Sequence, residues 1–219
     1  MQSNPIRVVL IDDHKMLLEA MQASLSNHPQ LQVVGTATTA NAGASLIAEQ
    51  RPDVAIFELS FPGADSFDVV PRVREQSPTT KILFVTAHLS EVALNQALRL
   101  DANGYILKDE PIARLIEAIQ QVHAGRLAFS ARVEEMLIFD EKRQKYSVRT
   151  DKRLCSLSIQ QLSILRHIAR GESLAQMALT LNRSKKSIDC HRYRMMHKLD
   201  IHDRVELTLY AIREGLALV

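Results

Sequence analysis

The chain has 219 residues, of which 46% are hydrophobic and 24% charged, so we expect an ordinary soluble globular protein with two domains. No apolar run approaches the length of a membrane-spanning helix, and the first residues lack the features of a signal peptide, which predicts a cytoplasmic protein without a membrane partner. The net charge of +2 is divided unevenly, at −5 over residues 1–125 and +7 over residues 126–219, so only the second half is expected to meet a polyanion.

The first half alternates short apolar segments with segments of helical periodicity. His28-Pro29 and Arg51-Pro52 end the first two helices, because proline cannot continue a helix. Five strands that alternate with five helices predict an α/β fold with a doubly wound, five-stranded parallel sheet of the flavodoxin-like kind. The predicted strands are 6–11, 31–37, 54–57, 81–87 and 104–107, and the predicted helices are 16–25, 40–50, 67–76, 91–100 and 112–124.

Polar residues follow four of these strands at the point where each strand ends. Asp12 and Asp13 end the first strand, Glu58 the third, Thr86 the fourth and Lys108 the fifth. The carboxyl ends of parallel strands lie at one edge of the sheet, and doubly wound folds bind their ligands there. One acidic residue at a strand end is usually a solvated loop residue, but three carboxylates with a hydroxyl and a lysine indicate a functional site.

Residues 5–125 resemble the receiver domain of bacterial two-component response regulators. The resemblance rests on Asp12-Asp13, Pro52-Asp53, Pro62-Gly63, Thr86-Ala87 and the run from Gly104 to Lys108. It implies that the acidic pair holds Mg²⁺, which prefers oxygen ligands, and that an aspartate after the third strand is phosphorylated. It also implies that Thr86 and Lys108 bind the phosphoryl oxygens and that Tyr105 rotates inward as a conformational reporter.

The chain departs from this family at the phosphoacceptor position, which holds Glu58 in place of aspartate. The extra methylene moves the carboxylate out of register for in-line attack, where about 1 Å of misplacement can cost roughly 10²-fold in rate. It also carries the charge toward Thr86 and Lys108, so that Glu58 would imitate a phosphorylated aspartate with one negative charge in place of about −1.5 to −2. We expect phosphorylation-independent activity. The alternatives are a receiver that serves as a docking scaffold and true phosphorylation on glutamate.

The same replacement bears on cofactors and partners. No cofactor is expected to be required. Mg²⁺ at Asp12 and Asp13 stays an alternative that Glu58 disfavours, and Glu58 argues in the same way against a partner sensor kinase.

Residues 126–153 change in character and are predicted to link two domains. Residues 131–139 have the periodicity of a short helix, with Val133, Met136 and Leu137 on one face. Residues 140–153 are charged and weakly patterned, which favours a solvated tether over a segment that contacts phosphates. The predicted domains are therefore 1–125 and 154–219, joined by this linker.

The remainder of the chain is helical in pattern and predicts an all-α domain of four helices. Ser158, Ser184 and Asp203 are predicted N-caps, and Gly171 is a predicted helix end. The second and third helices, joined at Asn182-Arg183, have the form of a helix-turn-helix.

The third of these helices, predicted from Ser184 to about Leu199, has two unlike faces. At about 100° per residue, Ile188, Met195 and Leu199 lie together and belong to the core. The opposite face is polar between basic shoulders, as a helix that enters the major groove requires, although ordinary surface helices are amphipathic in the same way. The predicted DNA-contacting residues are Ser184, Lys185, Lys186, Asp189, Cys190, Arg192, Tyr193, Arg194, His197 and Lys198.

Residues 157–216 also resemble the LuxR-type helix-turn-helix of NarL/FixJ-type response regulators. The resemblance rests on Leu157-Ser158, the run from Ile168 to Gly171, Ala175 with Ala178, Lys186-Ser187-Ile188 with His191, Lys198-Leu199, Arg204, Glu206-Leu207 and Ala211. It implies that the last helix pairs two such domains, with Leu207, Tyr210, Ala211 and Glu214 at the dimer interface. Asp189 stands where the family usually has Lys or Arg. An aspartate cannot bind phosphate and could accept only from cytosine N4 or adenine N6.

Together these features predict a transcription regulator, not an enzyme, that binds double-stranded DNA as a homodimer on paired half-sites. The enzyme alternative is a phosphoaspartyl hydrolase, which needs a second aspartate two residues after its nucleophile, a spacing that Asp12-Asp13 lacks. The other alternative is an interaction protein without specific DNA binding. Neither the cysteines, Cys155 and Cys190, nor the histidines, His191, His197 and His202, have the spacing of a common metal site.

Overall fold

The structure is a computed structural model, and its internal contacts divide the chain into two compact units. The first unit combines Met1–Leu89 with Ala97–Leu137, and the second combines Ser90–Gln96 with Ile138–Val219. Among the described helices, none is both long enough and apolar enough to cross a membrane. The residues that the structure describes are 4–61, 64–142, 144–148, 152–214 and 216.

A parallel sheet forms the centre of the first unit. The strands of this unit are, in chain order, β1 (Ile6–Ile11), β2 (Leu31–Ala37), β3 (Val54–Phe57), β4 (Ser60–Phe61), β5 (Ala64–Asp65), β6 (Lys81–Thr86), β7 (Gly104–Leu107) and β8 (Ala128–Phe129). The order in the sheet is β2-β1-β3-β6-β7-β8, and all neighbours are parallel. The order reverses at β1, which lies between β2 and β3, so the crevice for a ligand in this kind of fold opens beside β1 and β3.

Helices cover this sheet, and the strands are apolar nearly throughout because they are buried. One large core cluster joins strand residues such as Leu10, Ile56 and Leu83 to Leu18 and Ile119 of two helices. The helices between Lys15 and His123 are α1 (Lys15–Ser26), α2 (Ala40–Gln50), α3 (Ser66–Gln76), α4 (Glu91–Arg99) and α5 (Ile112–His123), and the first six residues of α4 belong to the second unit.

The predicted doubly wound parallel sheet is confirmed, but it has six strands and not five. The sixth strand, β8, pairs with β7 at the edge of the sheet, with Gly104 opposite Ala128. Gly104 permits this approach, because a Cβ atom there would collide with the carbonyl oxygen of Ala128. A strand of two residues has no periodicity that the sequence could reveal. The predicted turn at Pro62-Gly63 lies outside the described residues.

The predicted helix over residues 131–139 is wrong beyond its first turn. The helix α6 (Ala131–Glu134) is followed by a two-stranded sheet of β9 (Leu137–Asp140) and β10 (Lys145–Val148). The rings of Phe139 and Tyr146, one on each strand, lie 5.1 Å apart between centroids. Aromatic residues that pair across strands favour the extended chain over the helix that the apolar spacing suggested.

From Lys152 onward the described chain is helical, as predicted, with one short helix added before the other four. Ser158 closes a capping box with Gln161, and the Ser184 side chain accepts from the backbone N–H of Ser187, so both predicted N-caps are confirmed. Asp203 occupies an N-cap position without a side-chain hydrogen bond to the helix. The helices are α7 (Lys152–Cys155), α8 (Ile159–Ala169), α9 (Leu174–Thr180), α10 (Lys185–Leu199) and α11 (Arg204–Arg213).

Four of these helices, α8 to α11, pack around a common core, which fixes the orientation of α10. α8 contacts both α10 and α11, and α9 contacts α10. The core residues of α10 are Ile188, Met195 and Leu199, as predicted from their spacing. The remaining faces of α10 are thereby turned away from the core of this unit.

Candidate functional site

Four polar residues lie where neighbouring strands end. Asp12 follows β1, Glu58 follows β3, Thr86 ends β6 and Lys108 follows β7. The parallel register brings these ends together, since the last residues of β1 and β3 are partners, as are the last residues of β6 and β7. Asp12, Glu58 and Thr86 are buried, at 1%, 5% and 0% exposure, so this is an enclosed polar pocket at the sheet edge.

Lys108 joins two of the carboxylates. Its ammonium nitrogen Nζ lies 2.6 Å from Asp12 Oδ2 and 2.5 Å from Glu58 Oε2. Burial alone would lower the pKa of Lys108, but the hydrogen bonds and negative charges of Asp12 and Glu58 outweigh burial and raise that pKa above its ordinary value. Lys108 therefore stays protonated at neutral pH and supplies a positive charge between two buried acids.

The other carboxylate oxygen of Glu58 is held by the main chain. Oε1 accepts from the backbone N–H of Leu59 at 2.6 Å and from that of Ser60 at 3.3 Å. The carbonyl oxygen of Glu58 accepts from the hydroxyl of Ser66, the first residue of α3. Glu58 is thus fixed at both carboxylate oxygens, and its longer side chain lies against the segment that follows β3.

Thr86 has a different partner. Its hydroxyl oxygen accepts from the backbone N–H of His88 at 3.3 Å. No hydrogen bond joins Thr86 to Glu58 in the part of the chain that the structure describes. The expectation that the glutamate reaches both Thr86 and Lys108 is met at Lys108 only, because the backbone N–H groups after Glu58 bind its second oxygen.

Tyr105 occupies a buried, inward position in β7. Its hydroxyl donates to the carbonyl oxygen of His88 at 2.8 Å. Burial, and after it the negative charge of Glu58, raises the pKa of the Tyr105 phenol well above its ordinary value, so the hydroxyl stays a donor at neutral pH. The main chain of His88 therefore connects the two residues that the family resemblance names as switch residues, Thr86 and Tyr105.

Three possible metal ligands lie together at the acidic pair. Ligand atoms of Asp12, Asp13 and His14 lie within 4.8 Å of one another. However, Asp12 already uses Oδ2 for Lys108 and Oδ1 for the backbone N–H of His14 at 2.9 Å. A cation between Asp12 and Glu58 would have to displace the Lys108 ammonium.

Two residues of this pocket, His14 and His88, were not predicted from the sequence. His14 lies 3.2 Å from Asp13 Oδ1 and 3.3 Å from Asp12 Oδ1 through its ring atom Nδ1, and its position directly after the acidic pair was a signal. His88 contributes only its backbone N–H and carbonyl groups. A pattern of side-chain types carries no signal for such a backbone role.

The second candidate surface is the exposed side of α10. Its N-cap Ser184 is used within the helix, and Lys198 Nζ donates to Ser156 O at 2.7 Å and to Gln161 Oε1 at 3.1 Å. Lys198 is exposed and is also bonded to its own domain, and its contact with DNA stays a prediction. Of the other predicted residues, Arg192 is half-buried, and the exposed ones are Lys185, Lys186, Asp189, Cys190, Tyr193, Arg194 and His197.

Asp189 and Arg192 form an ion pair on α10, with Arg192 Nη2 at 2.5 Å from Asp189 Oδ1. The Asp189 side chain is 52% exposed and that of Arg192 is 31% exposed. The acidic residue that seemed out of place on a basic helix thus has a positive partner one turn further along.

The predicted dimerisation residues of α11 are largely buried in their own domain. Leu207, Tyr210 and Ala211 belong to the core cluster and Glu214 is half-buried, and their role in pairing two domains stays a prediction. The exposed apolar residues of α11 are instead Val205, at 64%, and Leu209, at 55%. They lie four positions apart and so share one face of the helix.

The chain matches two protein families. Residues 8–120 match the response regulator receiver domain, and residues 155–211 match the bacterial regulatory proteins of the luxR family. The first match covers the sheet-edge pocket, and the second covers the helix-turn-helix.

Known proteins match the chain over nearly its whole length. It is 27% identical over 211 residues to the response regulator UvrY of Escherichia coli (strain K12), covering 96% of this chain and 95% of UvrY. It is 31% identical over 214 residues to the oxygen regulatory protein NreC of Staphylococcus haemolyticus (strain JCSC1435), covering 96% of this chain and 99% of NreC.

Solved structures agree in fold. The RcsB response regulator of Salmonella typhimurium has a TM-score of 0.71 at 24% identity, over 97% of this chain and 99% of the RcsB chain. RcsB of Salmonella enterica serovar Typhimurium bound to promoter P1flhDC has a TM-score of 0.67 at 24% identity, over 94% of this chain and 98% of that chain. The chain therefore belongs to the NarL/FixJ-type response regulators, DNA-binding transcription regulators that join a receiver domain to a luxR-type helix-turn-helix.

Proposed function

We propose that this response regulator binds its DNA without being phosphorylated, and that Glu58 and Lys108 hold its receiver in one state. The observation that carries the proposal is the 2.5 Å contact between Glu58 Oε2 and Lys108 Nζ. In the family that this receiver resembles, the lysine at this position binds an oxygen of the phosphoryl group. Here it binds an oxygen that is part of the protein.

The bonding of Glu58 also argues against its phosphorylation. One oxygen accepts from two backbone N–H groups, and the other lies on an ammonium group. A nucleophilic carboxylate must approach phosphorus with a free lone pair along the line of attack, and near-attack geometry tolerates little displacement. Glu58 would have to leave its present partners before it could react.

The position of Tyr105 supports the same reading. The resemblance associates an inward tyrosine with the activated receiver, and Tyr105 is fully buried with its hydroxyl on His88 O. Glu58 contributes to the electrostatic environment of this phenol, so the two residues are close enough to act on one another.

Neither a metal nor a kinase is required by this proposal. Lys108 already neutralises part of the charge of Asp12 and Glu58, which is the role that a bound cation would have between them. We further propose a homodimer that forms through the exposed face of α11 around Val205 and Leu209. An isologous contact of this kind places the same residues on both sides of the interface.

A second candidate function is a receiver that only docks to a partner protein. The hydroxyl of Thr86 favours it, because that group is bonded to His88 and not to Glu58. Moving a two-state switch from 1:99 to 99:1 takes about 5.5 kcal/mol of differential interaction. A glutamate that engages one of the two predicted contacts supplies less than a phosphoryl group does.

The test compares DNA binding by the untreated protein and by protein treated with acetyl phosphate and Mg²⁺. The duplex is one selected by the wild type from a pool with a randomised centre. We expect equal affinity in both states and no phosphoprotein on a phosphate-affinity gel, whereas Glu58→Ala should lose at least tenfold in affinity. Asp109→Ala, which removes an exposed carboxylate paired with Arg132, is the matched control and should bind normally.

Two results would separate the candidates. Wild type that binds DNA only after treatment would overturn phosphorylation independence. Glu58→Ala that binds as well as wild type would favour the docking receiver, because the glutamate would then have no influence on DNA binding.

A further inference from the structure

The ion pair between Asp189 and Arg192 lies on the helix that the luxR-type match assigns to DNA binding. We propose that Asp189 reads the amino group of a cytosine or an adenine in the major groove, and that Arg192 makes this possible by neutralising Asp189. The inference rests on DNA binding by α10 and adds the chemical group that one position of the helix recognises.

The position of the two residues on α10 assigns their roles. Measured from the buried Ile188, Arg192 lies about 40° and Asp189 about 100° around the helix. Arg192 is therefore beside the core and Asp189 is further out, in agreement with side-chain exposures of 31% and 52%. The Nε atom of Arg192 is buried and has no hydrogen-bond partner among the described residues, so this side chain is held along the helix surface.

A lone carboxylate at this place would oppose DNA binding. Double-stranded DNA carries one negative charge per roughly 1.7 Å of its axis, and a desolvated aspartate beside it would be repelled. With Arg192 Nη2 on Asp189 Oδ1, the pair has no net charge. The carboxylate can then approach the groove at a much lower electrostatic cost.

One oxygen of the carboxylate stays available. Asp189 Oδ2 accepts no hydrogen bond within the described part of the chain. A carboxylate only accepts, so its partner in the major groove must be a donor, and the donors there are cytosine N4 and adenine N6. Guanine and thymine present acceptors at the corresponding positions and would be rejected.

The competing interpretation is that Arg192 contacts a phosphate and Asp189 has no role. A phosphate contact contributes to affinity for every sequence, whereas a base contact contributes only where its base is present. The two interpretations therefore differ in sequence preference and in whether the effects of the two residues are coupled.

The experiment is a double-mutant cycle on the full-length protein, with a duplex that the wild type selects from a pool with a randomised centre. The variants are Asp189→Asn, Arg192→Met and the two together. Methionine keeps the aliphatic packing of the arginine stem, and circular dichroism confirms folding. We expect Arg192→Met to weaken binding roughly tenfold or more when Asp189 is present, and less than about threefold in the D189N background.

Arg194→Met is the control, because Arg194 is exposed on α10 and has no acidic partner among the described residues. Its effect should be the same with and without D189N. Selection repeated with D189N should change the base frequencies at one position, because an amide accepts from adenine N6 and donates to adenine N7. A cytosine preference should move toward adenine, and an adenine preference should become stronger.

Equal costs of Arg192→Met in both backgrounds, or unchanged base frequencies for D189N, would overturn the inference and leave DNA binding intact. A wild type that enriches no duplex would overturn DNA binding itself and this inference with it.

Discussion

Replacing Lys108 with methionine should destabilise the receiver strongly, because two buried carboxylates would lose their shared counter-ion. The ammonium nitrogen lies 2.6 Å from Asp12 and 2.5 Å from Glu58, whose side chains are 2% and 6% exposed, while that of Lys108 is 13% exposed. Removal of one partner from a buried ion pair costs about 3–5 kcal/mol. We expect a loss in that range, which is a large part of the roughly 5–15 kcal/mol that stabilises a typical domain.

The measurement is urea denaturation of the full-length chain, followed by circular dichroism and fitted with one transition for each unit. Lys15→Met, an exposed lysine on α1, is the control and should change the free energy of unfolding by less than about 0.5 kcal/mol. Adding Glu58→Gln to Lys108→Met should recover part of the loss, since one unpaired charge disappears. A cost below about 1 kcal/mol for Lys108→Met, as exposed ion pairs give, would refute the reasoning.

The pH dependence of the wild type follows from the same contact. The folded-state pKa of Lys108 is raised above its ordinary value of 10.5. A raised pKa on a basic group contributes stability that is fully present below the unfolded-state pKa and is lost as pH rises through the folded-state pKa. The stabilisation should therefore be constant from neutral pH to about pH 10 and disappear only at higher pH, and Lys108→Met should lack this alkaline loss.

Three further outcomes are expected. Gly104→Ala should lower the free energy of unfolding by about 1–3 kcal/mol in thermal or urea denaturation, because a Cβ atom would collide with the carbonyl oxygen of Ala128; an unchanged midpoint would contradict the β7–β8 contact. Leu209→Asp should abolish self-association in sedimentation experiments without loss of helical signal, whereas Leu207→Asp should unfold the helical domain; a dimeric L209D protein would exclude the proposed interface. DNA affinity should fall with salt at a slope of roughly 0.9 per phosphate contact, and Lys186→Ala should reduce that slope by about one; an affinity independent of salt would argue against the α10 surface.

The sheet-edge pocket was largely readable from the sequence, because topology alone places its residues. A run of apolar strands that alternate with helices allows few arrangements, and each brings the carboxyl ends of the strands together. Asp12, Glu58 and Lys108 meet there. The sequence does not predict which partner each carboxylate oxygen of Glu58 binds. One oxygen binds the backbone N–H groups of Leu59 and Ser60, and side-chain types carry no information about backbone groups.

The connecting region was predicted least well, for two physical reasons. β8 has two residues and depends on the close approach at Gly104, which leaves no pattern in the local sequence. Residues 131–139 have apolar spacing that fits a helix, yet Phe139 pairs with Tyr146 seven positions away. Whether a segment forms a strand depends on its cross-strand partner, and the periodicity of the segment alone carries no information about that partner.

The last helix illustrates a limit of helical periodicity. α11 has apolar residues on more than one side, and both Leu207 and Leu209 suit a helix interface. The core of the domain takes Leu207, which leaves Val205 and Leu209 outside. Which stripe faces inward depends on how α8 packs against α11, and that is set by tertiary contacts.

The contact between Glu58 and Lys108 has no covalent bond that water could cleave. A phosphorylated regulator stays active only while its phosphoryl group is present, so the rate of hydrolysis limits the duration of its signal. Under the proposed function this protein has no such limit, since the contact is part of the folded chain. The number of molecules, set by synthesis and degradation, then becomes the variable through which its output on DNA is adjusted.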